Sequence, residues 1–246
     1  MIILGDIGNT ETKICLVKDN KIVKKFLIPS KGKKKMRILD KYFKKFNFSK
    51  LKRLLFCSVV PSTFKELKNY FKHKTHIKCF ELKELNLQSV LKIDVNYKQV
   101  GSDRLANAIC VSAKNKNFII LDFGTATTFD VLVGKNYKGG IISPGINLSL
   151  NTLSDKASLI PKINLKKMSK VIGKDTKSAV RSGFFWGYAG LIDNIINLIK
   201  KEIKKPFTVI ITGGFSKLFK NSIKTKVKQD FDITINGLIK ASKLIK

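Results

Sequence analysis

Arginine is scarce among the basic residues of this sequence. Lysine and arginine together number 49 and give a formal net charge of +32, but only four of them are arginines. Proteins that read phosphate backbones and base edges favour the bidentate guanidinium group. The lysines are also spread along the whole chain, so the charge indicates compositional bias, and we expect no specific nucleic-acid partner.

Long apolar runs and paired cysteines are missing as well. No stretch approaches the roughly 20 apolar residues of a membrane-spanning helix, so no membrane contact is expected. The short run Ile2–Leu4 follows no basic segment and is interpreted as a strand, not a signal peptide. Single cysteines within apolar stretches favour reduced thiols over disulfides or a zinc site. We therefore expect a cytoplasmic protein.

The composition that remains is that of a globular protein. Hydrophobic residues make up 43% of the chain and charged residues 27%. Disordered chains contain a much lower fraction of apolar residues. A length of 246 residues suits either two compact halves or one large domain.

A repeated segment favours two halves. Residues 3–17 can be laid on residues 119–133 without a gap, and several positions then agree. Among them, Asp6, Gly8, Thr12, Leu16 and Val17 match Asp122, Gly124, Thr128, Leu132 and Val133. Each copy contains an apolar strand, an Asp-x-Gly turn and a second strand, which predicts a β-hairpin. A third strand should follow each hairpin, over 21–28 and 137–143, and end at a proline.

Apolar periodicity and turn residues predict the other elements. Helices are expected at 34–47, 61–73, 102–114, 146–155, 176–201 and 214–221, and strands at 51–59, 76–82 and 207–212. Residues 225–246 should form a strand and a final helix. The pattern predicts two similar α/β domains, 1–114 and 115–246, with the Asp-x-Gly turns on opposite walls of a nucleotide cleft.

The two turns carry the residue types that phosphate binding requires. Glycine permits close backbone approach, so neighbouring N–H groups and the side chains of Asn9, Thr10, Thr125 and Thr127 can surround phosphate oxygens. A third glycine turn, Gly213-Gly214, follows an apolar strand and can admit a flat adenine or ribose. Each turn alone could be purely structural, but together they favour a nucleotide site.

This order of turns resembles the actin, hexokinase and Hsp70 superfamily. Four motifs resemble the type III pantothenate kinase family in particular. They are Asp6-Ile7-Gly8-Asn9-Thr10, Gly101-Ser102-Asp103-Arg104, residues 122–127 (DFGTAT) and residues 139–145 (GGIISPG). The resemblance implies two duplicated actin-like (ribonuclease H-like) domains and ATP-dependent phosphorylation of pantothenate to 4′-phosphopantothenate, the first step of coenzyme A biosynthesis. It also implies a homodimer.

Asp103 is the candidate catalytic base. Gly101-Ser102 should end the preceding segment and leave Asp103 in the first turn of a helix, where the helix dipole favours an ionised carboxylate. The alternative is that Ser102 or Asp103 only caps the helix. The resemblance favours the catalytic role, because the base of the family lies in this motif.

The remaining site residues are implied by the resemblance. The ATP-binding residues are Asp6, Ile7, Gly8, Asn9, Thr10, Glu11, Thr12, Lys13 and Thr125, with Mg²⁺ on the nucleotide. Asp122 would bind a monovalent cation, K⁺ or NH₄⁺. The pantothenate-binding residues are Gly101, Ser102, Asp103, Arg104 and Thr176. A structural salt bridge at Arg104 and helix capping by Thr176 are the alternatives.

One segment departs from the family pattern. Where the family has Tyr-x-Asn-Pro, this chain has Asp94-Val95-Asn96-Tyr97, so the wall of the acceptor pocket is not defined by the resemblance. The second interpretation of the whole chain is a non-catalytic relative that binds nucleotide or nucleic acid and acts as a regulator. An intact Asp103 beside Arg104 favours the enzyme.

Overall fold

The computed structural model describes residues 1–32 and 34–245. The strands are β1 (Ile2–Ile7), β2 (Glu11–Lys18), β3 (Lys21–Pro29), β4 (Arg53–Ser58), β5 (Cys79–Glu81), β6 (Lys92–Ile93), β7 (Asn117–Phe123), β8 (Ala126–Val133), β9 (Asn136–Pro144), β10 (Thr208–Gly213) and β11 (Val227–Gln229). The α-helices are α1 (Lys34–Phe43), α2 (Pro61–Lys72), α3 (Ser102–Val111), α4 (Ile146–Lys156), α5 (Thr176–Ile203), α6 (Ser216–Phe219) and α7 (Ile233–Ala241). None of the helices in these two ranges has the length and apolar character needed to cross a membrane.

Internal contacts divide the chain into two units. The first unit contains Met1–Ser112, Lys135–Tyr137 and Asp232–Lys246, and the second contains Ala113–Gly134 and Lys138–Phe231. The first division falls close to the predicted boundary at 114/115. The prediction of two continuous halves placed Lys135–Tyr137 and Asp232–Lys246 in the second half, whereas they belong to the first unit.

The sheet of the first unit has the strand order β3-β2-β1-β4-β5. Its first three strands form the predicted antiparallel meander, and β4 and β5 add in parallel. Helices α1 and α2 bury Leu39, Phe43, Leu67 and Phe71 against one face of the sheet, and α3 and α7 contact β4 and β1. Burying such side chains contributes roughly 1.5–3 kcal/mol each before conformational entropy is counted.

The sheet of the second unit repeats this order as β9-β8-β7-β10-β11. Its core is formed by side chains of β7, β8 and β10 together with α4, α5 and α6, including Phe129, Phe185 and Ile196. The short strand β6 pairs in parallel with Asn136–Tyr137, at the start of β9, and this pairing lies within the first unit. The predicted duplication of an α/β unit is thus confirmed at the level of strand order.

The ungapped superposition of the two hairpins is wrong by one residue after the turn. Asp6 pairs with Lys13, whereas Asp122 pairs with Thr128, so the second turn is one residue shorter. The structural equivalent of Thr12 is therefore Thr127, and both side chains are fully buried. A gap was not detectable because threonine occupies both 127 and 128.

Helix α7 packs very closely on α3 within the first unit. Thr234 Oγ1 donates a hydrogen bond of 2.8 Å to Asn107 Oδ1, and both residues are buried. A Cβ atom at Gly237 would overlap the carbonyl group of Ala106. This contact fixes the helix that begins with Ser102-Asp103.

Candidate active site

Gly101 and Asp103 occupy the start of α3 as predicted. Gly101 is the N-cap residue and supplies no capping side chain, and Ser102 and Asp103 follow it in the first turn. Asp103 Oδ1 accepts a hydrogen bond of 2.8 Å from the backbone N–H of Arg104. A Cβ atom at position 101 would lie 2.5 Å from Asp103 Oδ1, so glycine is what leaves the carboxylate in this position.

Ser102 ties α3 to the end of β4. Its buried hydroxyl accepts a 2.7 Å hydrogen bond from Ser58 N and donates one of 3.0 Å to Ser58 O. Ser58 N also lies 3.3 Å from Glu81 Oε1. The Ser102 side chain thus positions the helix start through bonds inside the protein.

Asp6 and Asp103 form an acidic pair in the first unit. Burial and the charge of Asp103 raise the pKa of Asp6 from 3.8 to about 6, against the opposing effects of Lys13 and a hydrogen bond from Cys57. Burial also raises the pKa of Asp103, partly offset by its bond to the Arg104 backbone and by the Arg104 charge. The helix dipole alone would lower the pKa of Asp103. The sequence-based expectation therefore has the opposite direction, because it leaves out desolvation.

This pair has the character of a site for a cation. Two partly buried carboxylates that disfavour joint ionisation are stabilised when a cation joins them, and Mg²⁺ often uses one or two carboxylates together with substrate phosphates. Within residues 1–32 and 34–245 no cluster of three or more His, Cys, Asp or Glu residues could hold a metal by protein groups alone. The residues therefore fit a Mg²⁺ ion that arrives with phosphate ligands.

The turn after Asp6 exposes part of the predicted phosphate-binding segment. Gly8 N donates a 3.0 Å hydrogen bond to Glu11 O, and the intervening Asn9 and Thr10 are exposed. The side chains of Ile7 and Thr12 are fully buried. Thr12 Oγ1 lies 2.8 Å from Ser30 Oγ, so Thr12 stabilises the turn from within.

The turn after Asp122 surrounds its carboxylate with glycines. Gly213 has a φ of +85°, and a Cβ atom there would lie 2.6 Å from both Asp122 Oδ1 and Phe123 N. A Cβ at Gly124 would lie 3.9 Å from the same Asp122 oxygen. Thr125 is exposed at the tip of this turn. Glycine at position 213 permits this close approach of its backbone to Asp122 and Phe123.

Thr176 lies at the start of α5, in the second unit. Asp175 caps this helix, and its carboxylate accepts a 2.9 Å hydrogen bond from Ser178 N while the Ser178 hydroxyl bonds back to it. Capping by Thr176 is therefore wrong. The Thr176 side chain is exposed, and its hydroxyl has no hydrogen-bond partner in the described part of the chain, which leaves it available to a ligand.

Two residues of the first unit were not predicted. Cys57 is fully buried and its thiol lies 3.5 Å from Asp6 Oδ1, and only the register of β1 on β4 could have placed it there. Lys35, in a run of lysines, is 5% exposed and donates to Ser30 O at 3.1 Å. Its ammonium group also pairs with Glu66 at 2.6 Å.

Comparisons with known proteins show the family of this chain. The sequence profile of the type III pantothenate kinase family matches residues 2–198. A type III pantothenate kinase from Pelagibacter ubique (strain HTCC1062) is 62% identical over 248 residues, with 100% of each chain covered. A type III pantothenate kinase from Hyphomonas neptunium is 35% identical, with 99% of each chain covered.

Solved structures match the fold at low identity. A Campylobacter jejuni protein described as a Baf family transcriptional activator aligns with a TM-score of 0.65 and 20% identity, covering 98% of this chain and 97% of that one. A Sinorhizobium meliloti protein described as a 2-dehydro-3-deoxygalactonokinase aligns with a TM-score of 0.62 and 10% identity, covering 100% and 99%. These likenesses support the two-sheet actin-like fold and nothing beyond it.

Proposed function

Because this chain belongs to the type III pantothenate kinase family, we propose that it transfers the γ-phosphoryl group of ATP to pantothenate and yields 4′-phosphopantothenate for coenzyme A biosynthesis. The observation that supports this function best is the Asp6–Asp103 pair, which joins a phosphate turn to a carboxylate at a helix start. Phosphoryl transfer to an alcohol needs little more than positioning, charge neutralisation and a proton acceptor.

Asp103 acts in this proposal as the general base. Its raised pKa, which results chiefly from burial, makes it a better proton acceptor than an ordinary aspartate. Gly101 and Ser102 position it, the first by leaving space and the second through Ser58. The Asp103 carboxylate then accepts the proton of the attacking pantothenate hydroxyl.

The first turn serves as the phosphate-binding element. Asp6, Gly8, Asn9, Thr10, Glu11 and Lys13 are the members of the predicted ATP segment with exposed or partly exposed positions. Backbone N–H groups of such a turn and the Lys13 ammonium group are suited to phosphate oxygens. Mg²⁺ would arrive with ATP and neutralise phosphate charge, and the Asp6 carboxylate is the protein group closest in character to its ligands.

The second turn binds the monovalent cation in our proposal. The Asp122 carboxylate would hold K⁺ or NH₄⁺ and offset nucleotide charge. The exposed Thr125 hydroxyl contacts a phosphate oxygen.

The acceptor is recognised by Arg104 and Thr176. The guanidinium group offers a planar pair of donors to the carboxylate or amide oxygens of pantothenate. The exposed Thr176 hydroxyl supplies another polar contact.

A homodimer and a cytoplasmic location complete the proposal. Exposed apolar side chains of the second unit offer a surface for a second copy, and they are Ile142, Leu148, Val171, Ile172 and Trp186. Among the described residues no disulfide links the four cysteines, which suits a reducing compartment. Sedimentation velocity should find a species of twice the 27.7 kDa chain mass.

The proposed reaction is tested by coupled ADP release with a panel of small alcohols, with and without potassium. Release that depends on pantothenate and rises with potassium is expected. Release that is equal for all alcohols, or absent with every one of them, would overturn the proposal.

A further inference from the structure

The segment that leads into Asp103 is held by few contacts of its own. Residues 94–96, 98 and 99 are exposed, and Val100 is the buried residue before Gly101. Tyr97–Gln99 form a single 3₁₀ turn capped by the Asn96 side chain. A short turn of this kind needs outside support to fix the residues that follow it, because 3₁₀ hydrogen bonds have poor geometry.

Lys83 supplies that support. Its Nζ donates hydrogen bonds of 3.0 Å to Lys98 O and 2.9 Å to Val100 O. The same ammonium group lies 5.2 Å from the centroid of the Tyr97 ring. In return, Tyr97 Oη donates a 3.1 Å hydrogen bond to Lys83 O. The two residues therefore hold residues 97–100 in place through reciprocal contacts.

Lys83 is itself fixed to the end of β4. Its backbone N–H donates a 2.7 Å hydrogen bond to Glu81 Oε2, and Glu81 Oε1 accepts from Ser58 N at 3.3 Å. Ser58 also bonds to the hydroxyl of Ser102. The bonds close a ring that runs from Ser58 through Glu81 and Lys83 to the residues around Gly101 and back to Ser58.

We propose that Lys83 and Tyr97 form a clamp that positions the Asp103 carboxylate for proton acceptance. The clamp deepens the proposed kinase function and rests on it. Lys83 is a positioning residue, because its contacts are with backbone carbonyls and an aromatic ring. A displacement of about 1 Å in a reacting group can lower turnover by roughly 10²-fold, and the Asp103 carboxylate lies so close to Gly101 that a Cβ atom there would be 2.5 Å from Asp103 Oδ1.

Lys83→Met tests the clamp because it keeps the length of the side chain and removes its donors. We expect kcat to fall about tenfold, as for the loss of two charge-assisted hydrogen bonds, with the KM for ATP within about twofold of wild type. Lys83→Arg retains a cation with donors and should stay within about threefold of wild type. Tyr97→Phe loses a single neutral hydrogen bond, and its kcat should fall about threefold.

Lys98→Met is the matched control. It removes one positive charge from the same segment but leaves the backbone carbonyl that accepts from Lys83. Its kcat should remain within about twofold of wild type. If Lys98→Met loses as much activity as Lys83→Met, local charge rather than the clamp is responsible, and the proposal is overturned.

Hydrogen exchange gives a readout that is independent of activity. Amides of residues 100–104 should exchange faster in Lys83→Met than in wild type or Lys98→Met, because the clamp restrains them. If the wild-type protein shows no pantothenate-dependent ADP release, the kinase proposal is wrong. The exchange data test the clamp independently of that outcome. Unchanged exchange, or unchanged kcat in an active enzyme, overturns the clamp. If Lys83→Met does not fold, Tyr97→Phe decides by the same two measurements.

Discussion

In the first hairpin Asp6 contacts the Cys57 thiol and the charge of Asp103 raises its pKa, whereas in the second Asp122 lies beside the backbone of Gly213. Both hairpins have the same strand order and the same aspartate position. Cys57 lies on β4, which pairs in parallel with β1, and Asp103 lies on α3, whereas Gly213 lies on β10, which pairs in parallel with β7. The hairpin thus supplies a turn and a carboxylate, and the elements packed near it decide whether that carboxylate is one of an acidic pair.

The buried threonines of the two hairpins differ in the same way. Thr12 Oγ1 has Ser30 Oγ at 2.8 Å, and Ser30 O accepts from Lys35 Nζ and Thr63 Oγ1. In the second hairpin, Gly145 follows Pro144 as Ser30 follows Pro29. No described residue forms a hydrogen bond with Thr127 Oγ1. The first turn is therefore anchored by side chains and the second by close backbone packing.

The largest expected effect is on turnover, and it tests whether the acidic pair of the first unit, unlike Asp122, contains the proton acceptor. Asp103→Asn should lower kcat by roughly 10²-fold or more, because it removes the proton acceptor, while ATP affinity stays near wild type. Turnover and nucleotide binding are measured separately, the latter by calorimetry. Thermal unfolding checks that the fold is intact. Turnover like that of wild type would remove Asp103 from the mechanism and leave the two hairpins functionally alike.

The acidic pair should also appear in the pH dependence of stability. The pKa of Asp6 is about 6 in the folded state against 3.8 in the reference state, so the folded state favours the protonated carboxyl group. The resulting contribution to the free energy of unfolding is complete below about pH 4, and it is lost as the pH rises through 6 and the buried group ionises. Above pH 6, Asp6→Asn should be more stable than wild type by about 3 kcal/mol.

Urea unfolding at pH 4 to 8 measures this difference, with nucleotide absent. Asp155→Asn, on an exposed position of α4, is the control and should show no comparable change between pH 4 and 8. A stability gap between Asp6→Asn and wild type that does not vary with pH would show that the Asp103 charge and burial do not act on Asp6 as inferred.

The second hairpin is expected to respond to potassium instead. Asp122→Ala should raise the KM for ATP about tenfold and abolish stimulation by K⁺, because the anionic ligand of the cation is gone. Asp6→Asn should keep its stimulation by K⁺ even as its response to Mg²⁺ weakens. Initial rates across K⁺ and Mg²⁺ concentrations distinguish the two. Potassium stimulation of Asp122→Ala equal to that of wild type would place the cation elsewhere.

Local sequence patterns predicted much of the fold. The two meanders, the start of α3 and the strand and helix after residue 225 all follow from apolar periodicity, prolines and glycines. Helix ends were less accurate: α1 ends at Phe43 instead of 47, and α6 spans only Ser216–Phe219. The grouping of Asp232–Lys246 with the first unit depends on contacts such as Thr234 with Asn107, which are distant in sequence.

The candidate site was predictable to a smaller extent. Motifs indicated Asp6, Asp103 and Asp122, but they did not predict the burial or the neighbouring groups of these carboxylates. Desolvation of Asp103 requires knowledge of what covers it, and the Cys57 contact requires the strand register. The burial of Lys35 runs against its sequence context, because a lysine run normally indicates a solvated surface. Tertiary packing decides each of these, and a single sequence contains no direct record of it.

The smallest expected effect concerns the two buried threonines. Thr12→Val removes the partner of Ser30 Oγ and leaves a buried hydroxyl unsatisfied, so it should destabilise the protein by about 1–2 kcal/mol. Thr127→Val removes a hydroxyl for which no partner is found among residues 1–32 and 34–245, and should be neutral or stabilising by up to about 1 kcal/mol. Urea unfolding of both variants gives the comparison, and Thr12→Ser, which keeps the hydroxyl, is the control for the first. An equal loss of stability in both variants would mean that the Thr127 hydroxyl has a bound water or ligand as its partner, and that the second hairpin is anchored through it much as the first is through Ser30.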